Sequence, residues 1–400
     1  MSRGSVIVAG YLVRGPLAGY AWQNLHYLLG LRALGFEPYF YEDNADFGLC
    51  YDPRSNQMVS SCAYGCGFTD QVLARFGLGG RWFFRDVVTG ESHGMAAREW
   101  ARVEREAILG IDLGGANRFP PDGWGERPTI YVDLDPGVTQ LTLAQGTFRR
   151  ASNLEHYTVL ATLGESIGTP FSPVPCGAFR WHPTRPPVLV ELWRDMQPGE
   201  QMESDHRSAA GLAFTTIGHW NSEGRDIVVD SETYYWRKRL EFMRVLDLPR
   251  RTGQRFHIAM DVGSDPSDTA GLAAHGWTWQ NPLAVSCDLE RYRGFIVSSL
   301  GEFTVAKDLV IRWRTGWFSD RSVCYLAAGR PVVTQETGFS RHLPTGRGLL
   351  AFTTLDEAVA AVETVVGNYR QHARAARDIA AEYFDARRVL RGLLAAAGVD

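Results

Sequence analysis

The sequence predicts a two-domain α/β protein in which each half is a parallel sheet flanked by helices and a ligand cleft lies between the halves. Three observations predict it. Short apolar strands alternate with helix-patterned segments from residue 6 onward, the repeating unit of a parallel sheet. The alternation restarts near residue 212, after a stretch from Gly168 to Pro187 with prolines at 170, 173, 175, 183, 186 and 187. The chain has 400 residues, room for two to three domains of about 150 residues. In such sheets ligands bind beyond the carboxyl ends of the strands.

The first half opens with an apolar run, Val6-Ile-Val-Ala9, that ends at Gly10. A loop punctuated by Gly10, Gly15, Pro16 and Gly19 follows. Trp22, Leu25, Leu28 and Leu29 then recur at helical spacing, and Gly35 is placed as a C-terminal stop. Glu37 to Tyr41 reads as the second strand. Residues 44 to 80 have weak periodicity and no assigned element. A helix is expected over Met95 to Leu109, and strands over Thr129 to Asp135 and Tyr157 to Leu163. The proline-rich stretch after them reads as a linker or a cleft wall, with Phe179, Trp181 and Trp193 as aromatic candidates for packing or acceptor contact.

The second half begins with a strand over Leu212 to Ile217 and a loop at Gly218-His-Trp220. A helix is expected over Ser231 to Leu246, then strands at Phe256 to Met260, Gly294 to Ser298 and Arg330 to Thr334. Thr354-Leu-Asp-Glu357 is a capping box ahead of Val359, Val362, Val365 and Val366. The last helical region, Tyr369 to Ala397, has the wide apolar stripe of a helix laid across a body.

Composition narrows the class further. Apolar residues make up 45% and charged residues 22%, which excludes disorder, collagen and coiled coil. A net charge of -4 gives no overall basic field, so nucleic acid is not expected as a partner. No run of about 18 apolar residues occurs, so no membrane span is expected. The first ten residues enter a strand almost at once and lack a secretory pattern, which places the expected location in the cytoplasm. There the six scattered cysteines are expected to be reduced, and Cys62 and Cys66 do not make a zinc site.

The loop after the first strand is a place where backbone amides hold phosphate or carboxylate. Its glycines do not match the dinucleotide fingerprint, and no Gly-Lys-Ser/Thr follows. Asp133 and Asp135 flank the end of a strand, on one face by alternation, where a general base would meet a cleft. His26, on a helix among leucines, and Glu165, just past a strand, are the rivals; a histidine in that setting is more often part of the core.

One stretch is more specific. Tyr325-Leu-Ala-Ala-Gly329-Arg-Pro331-Val-Val-Thr-Gln335-Glu336-Thr337-Gly338, then Gly346-Arg-Gly348-Leu-Leu, resembles the nucleotide-sugar half of GT-B glycosyltransferases. The opening loop with Trp22-Gln-Asn-Leu-His26 through Leu34-Gly35 is similar to the start of such enzymes. The resemblance implies two Rossmann-like domains facing each other: residues 1–205 for the acceptor and 206–375 for the nucleotide sugar. It also implies a final helix, 376–400, that crosses back to the first domain. At two positions this chain departs from the family. Many retaining members carry paired glutamates where Gly316 and Cys324 stand here.

The implied reaction moves a hexose, glucose favoured, from a nucleoside-diphosphate sugar, UDP favoured, to a hydroxyl of a small acceptor such as a specialised metabolite or nucleoside. Charge that builds on the departing diphosphate needs cations, hydroxyls or a helix amino end. The candidates are Lys238, Lys307, Arg314, Ser319, Asp320, Arg321 and Ser322. Gln335, Glu336, Thr337 and Gly338, after the Pro331-Val-Val strand, are placed for the sugar. Gly10, Gly15, Gly19, Trp22 and Glu165 would line the acceptor side, with Asp135 favoured over Asp133 and His26 as base. No cofactor or metal is expected, and the protein would be a monomer or homodimer. An inverting displacement is slightly preferred. A sugar-nucleotide epimerase and a silent nucleotide-binding module on the same fold remain the alternatives.

Overall fold

The computed structural model describes residues 2–44, 48–148, 151–194, 212–222 and 226–399. The expected domain boundary at 205 lies outside the described residues. The first sheet has eight strands in the spatial order 181–183, 159–162, 129–133, 109–113, 5–9, 37–43, 82–85 and 92–94. Neighbours are parallel except for the last pair. Val6 to Ala9 are fully buried because helices cover both faces of a parallel sheet. Strand order reverses between Ser5–Ala9 and Leu109–Leu113, which opens a crevice beyond Ala9.

The second sheet has six strands in the order 277–280, 255–260, 213–218, 301–304, 332–335 and 349–352, all parallel. Its order reverses between Ala213–Gly218 and Gly301–Thr304. Each half is therefore a doubly wound sheet with its own crevice. The capping box forms: Glu357 N–H donates to Thr354 Oγ1 at 3.2 Å and Thr354 N–H to Glu357 Oε2 at 3.2 Å.

Several elements differ from expectation. Gly294 to Ser298 is not a strand but the end of the helix Leu289–Val297, and the strand follows at Gly301–Thr304. A short apolar run buried on a helix cannot be told from a strand by pattern alone. In place of a continuous helix over residues 231 to 246, Glu232–Tyr234 pairs with Ile227–Val229 in a hairpin, and only then comes a helix, Arg239–Arg244. The unassigned stretch contains a hairpin, Cys50–Asp52 with Gln57–Val59, and a helix, Ala63–Arg75. Cys50 and Cys62 form a disulfide, so the expectation of reduced thiols throughout is corrected. Both are almost fully buried, which brings the two sulfurs together as the hairpin packs on the helix.

The C-terminal region is two helices, Tyr369–Tyr383 and Ala386–Ala396, broken at Phe384 and Asp385. The second packs on the helix Ala18–Ala33, where a Cβ at Gly30 would lie 2.6 Å from Leu390 Cδ1. At the break, Val188 N–H donates to Phe384 O and Ala386 N–H to Val188 O, both at 2.8 Å. The chain leaving the first half and the chain returning to it thus lie side by side. A second seam joins residues 164–172 to 313–317. Ser166 N–H donates to Thr315 O at 3.0 Å, and Ser172 Oγ to Trp313 O at 2.8 Å.

Candidate functional site

The crevice of the second sheet is built around a carboxylate inside a strand. Glu302 is fully buried, and its Oε1 accepts from Thr216 Oγ1 at 3.1 Å and Arg321 Nε at 2.7 Å. Arg321 enters from the first turn of the helix Asp320–Ala327. It also donates to Ile217 O and, at 3.2 Å, to Thr304 Oγ1. Its guanidinium therefore bridges the two strands at which the order reverses. Burial works against the Arg321 charge, and Glu302 together with Tyr292 and Tyr325 holds the group above the ordinary arginine range. Arg321 is thus a cation with its counter-charge already in place.

Lys238 shares the same hydroxyl. Its Nζ donates to Thr304 Oγ1 at 3.2 Å, and the residue is 7% exposed. Burial, reinforced by the Arg321 guanidinium, holds its ammonium well below the ordinary lysine range. Arg321 is already engaged by Glu302, whereas the one hydrogen bond of Lys238 Nζ among the described residues is to the Thr304 hydroxyl. An anion entering here meets Lys238 as the group with donors to spare.

Across the seam Lys307 Nζ lies 3.7 Å from Asp135 Oδ1 and 3.0 Å from the centroid of the Trp236 ring. Asp135 stands in the turn beyond the strand Thr129–Asp133, half exposed, where the first half meets the second. Asp133 does not share that position. It is fully buried and accepts from Thr139 Oγ1 at 2.7 Å, Gln140 Nε2 at 2.8 Å and Thr162 Oγ1 at 2.8 Å. Burial raises its carboxyl to about 6 despite these donors. Asp133 shapes the turn and is out of reach of an acceptor.

His26 is corrected in the same way. Leu189 N–H faces its Nδ1 at 3.1 Å and Trp193 Nε1–H faces its Nε2 at 3.1 Å. Burial lowers its pKa to about 3, so the ring stays neutral and fastens the 187–193 segment. Glu165 is held by Arg185 through two contacts of 2.7 and 2.9 Å. That pairing leaves it a structural link; Arg185 reaches on to His342 O at 3.2 Å.

In the loop from Gly10 to Gly19, the amides of residues 12 to 14 are taken by a carboxylate of the chain itself. Leu12 and Val13 N–H both donate to Glu42 Oε2 at 2.6 Å, and Arg14 N–H to Oε1 at 2.9 Å. Gly10 and Gly15 serve packing: a Cβ would lie 2.0 Å from Asn24 Oδ1 at the first and 2.2 Å from the Tyr11 ring at the second. Gly19, Trp22 and His26 do line a small cavity between the halves, together with Asp320 and Arg321.

The loop after the Val332–Gln335 strand is also braced internally. Gln335 Nε2 donates to Glu241 Oε2 at 2.6 Å, and its Oε1 accepts from Ala306 N–H at 3.2 Å. Glu336 Oε1 accepts from Gly338 N–H at 2.5 Å, and Thr337 Oγ1 donates to Trp317 O at 2.6 Å. Ser319 and Ser322 are buried beside Asp320, and Ser322 Oγ has no hydrogen-bond partner among the described residues. Arg314 is exposed with φ of 45°, a costly backbone for a bulky residue.

Glu302, Thr304, Trp236 and Glu42 were not singled out from sequence. A glutamate inside the apolar run Gly301-Glu-Phe-Thr-Val was the available signal, because an acid is almost never fully buried unless paired. Among the described residues no group of three or more His, Cys, Asp or Glu side chains is arranged to hold a metal ion. No helix among them is long and apolar enough to cross a membrane.

No protein-family model and no curated protein matches this chain. Solved structures do. An alpha-glucosyltransferase in complex with UDP-glucose and DNA containing an abasic site is similar over 98% of each chain, with a TM-score of 0.57 and 8% identity. Anabaena HepE in complex with UDP-glucose is similar over 99% of this chain and 100% of its own, with a TM-score of 0.57 and 10% identity. The chain has the GT-B fold. AviGT4, a glycosyltransferase involved in avilamycin A biosynthesis, shares this GT-B architecture over 99% of this chain and 97% of its own, with a TM-score of 0.52 and 11% identity. One expectation is overturned here. Proteins of the GT-B fold that match this chain end to end are found in complex with DNA, so a net charge of -4 does not exclude a nucleic-acid partner. Net charge is a sum over the whole surface, whereas binding depends on the charge of one face.

Proposed function

We propose that this protein is a glycosyltransferase that moves a hexose, glucose favoured, from UDP-sugar to an acceptor hydroxyl. The observation that carries the reading is Lys238, a buried amine with spare donors in the crevice where the second sheet reverses its strand order. That is the place where this class of sheet binds ligands. The likeness to structures that hold UDP-glucose supports the choice of donor.

In this reading Lys238 and Lys307 absorb the charge that builds on the departing diphosphate. Lys307 leaves Asp135 as the donor enters, and Asp135 then accepts the proton of the acceptor hydroxyl. The seam between residues 164–172 and 313–317 keeps water from the reacting atoms. An inverting displacement is favoured by Gly316, whose φ is 77° and whose Cβ would lie 2.8 Å from Ser166 N. No glutamate fits there. For the acceptor, the likeness to AviGT4 supports a small metabolite and the likeness to the alpha-glucosyltransferase supports a hydroxyl carried on DNA.

The test is UDP release with UDP-glucose in the presence of either a panel of hydroxylated metabolites or hydroxymethylated duplex DNA. Release in proportion to one acceptor establishes the transfer and names its class. Conversion of donor without acceptor, or binding without turnover in both arms, overturns it.

A further inference from the structure

Three successive amides, those of Leu12, Val13 and Arg14, converge on one point of the first half. Such a run of N–H groups makes a concavity that receives an anion. Here the anion belongs to the chain. Glu42, at the end of the neighbouring strand Glu37–Asp43, is fully buried, and its two oxygens take all three amides and Arg14 Nε at 3.1 Å. The Arg14 side chain is itself buried and donates from Nη2 to Ala116 O at 2.8 Å. No amide of this concavity remains for a ligand.

We infer that Glu42 is a resident anion that fills the anion-receiving concavity of the first half and, as a positioning residue, fixes its loop beside the cleft of the transfer reaction proposed above. The loop is tied to the following helix by Asn24, whose Nδ2 donates to Tyr11 O at 3.4 Å and to Tyr20 O at 2.8 Å. It carries Tyr11, which meets Tyr20 edge-on at 5.3 Å and lies under the Arg14 guanidinium at 4.9 Å. It ends at Gly19, on the cavity between the halves. Holding the loop therefore sets one wall of the cleft. The effect on turnover rests on the transfer reaction proposed above; the filled anion concavity does not.

The experiment compares wild type, Glu42→Ala and Glu42→Gln in thermal-shift titrations with sodium formate and with inorganic phosphate, using sodium chloride as the ionic-strength control. Glu42→Ala is expected to melt lower than wild type and to regain stability saturably with formate and phosphate but not chloride. Wild type and Glu42→Gln, in which the concavity stays occupied, are expected to show no saturable response. Turnover by Glu42→Ala should fall about 10²-fold, as expected for a displaced cleft wall, and formate should restore part of it. Equal stability and turnover in Glu42→Ala and wild type, or the same response to the anions in all three proteins, overturns the inference. If Glu42→Ala does not fold, the Arg14→Met/Glu42→Ala pair, purified with formate, removes both buried charges; a pair that stays unfolded with formate also overturns it. Absence of turnover in wild type would count against the transfer reaction and leave the anion titrations to decide on Glu42.

Discussion

Asp135 Oδ1 and Lys307 Nζ meet at 3.7 Å, one from each half of the molecule. Both side chains are partly exposed, so the pair adds at most about 1 kcal/mol to stability. Its value is in placement: an acid and a base are held on the two lips of the cleft.

Replacing Asp135 by Asn keeps the shape and removes the proton acceptor. Turnover should fall by roughly 10²–10⁴-fold, the usual contribution of a general base, with UDP affinity unchanged in calorimetry. Near-full activity in Asp135→Asn would remove it from the mechanism.

Lys238→Met should weaken UDP binding by about 1.5–3 kcal/mol, the worth of a hydrogen bond to a charged group, and leave uridine affinity where it was. Burial and Arg321 hold the Lys238 ammonium well below its ordinary range, and a diphosphate beside it favours the protonated form. UDP affinity should decline as pH rises through that lowered value. Titration in buffers of different ionisation enthalpy should show proton uptake, and Lys238→Met should abolish it. Equal loss of uridine and UDP affinity would reassign Lys238 to packing.

His26 predicts a stability effect with a definite sign. Its pKa falls from 6.5 in the free side chain to about 3 in the fold, because burial disfavours the charged ring. The unfolded chain binds the extra proton, so stability is complete above pH 6.5 and is lost as pH drops toward 3. At pH 5 the loss attributable to this ring is about 2 kcal/mol. Denaturant unfolding at pH 7 and pH 5 should show a smaller difference in His26→Gln than in wild type. An unchanged difference would mean that other groups govern the acid limb.

The Cys50–Cys62 disulfide closes a loop with a sequence separation of 12. Cys62→Ser should cost about 2–3 kcal/mol through the added freedom of the unfolded chain, and dithiothreitol should reproduce that loss in wild type. Identical melting of oxidised, reduced and mutant protein would show that the bridge carries no stability.

Much of the fold was legible. Val6 to Ala9 and Val332 to Val333 read as strands because buried parallel strands are apolar on both faces. Gly294 to Ser298 misled for the same reason, since a buried helix presents an equally apolar run. The candidate site was legible in part. Asp135 stood out as a carboxylate at a strand end, and Lys307, Lys238 and Arg321 as cations suited to a departing diphosphate. Which carboxylate each would meet was not visible, because Glu302 and Arg321 are 19 positions apart and meet only through the sheet. His26 and Asp133 show the converse: the residue type suits catalysis, but their partners, Trp193 Nε1 at one and Gln140 and Thr162 at the other, are set by tertiary packing.

The contact of Val188 with Phe384 and Ala386 has a mechanical consequence. The chain on its way out of the first half and the chain returning to it meet here, tied by two hydrogen bonds, where a hinge pin would sit. A rotation about such an axis displaces nearby atoms little and distant ones in proportion to their lever arm. Residues close to the pin, such as the His26–Trp193 pair, would keep their spacing while the far rim swings. A pair of fluorophores on opposite lips should therefore report a larger distance change on UDP binding the farther it is placed from Val188.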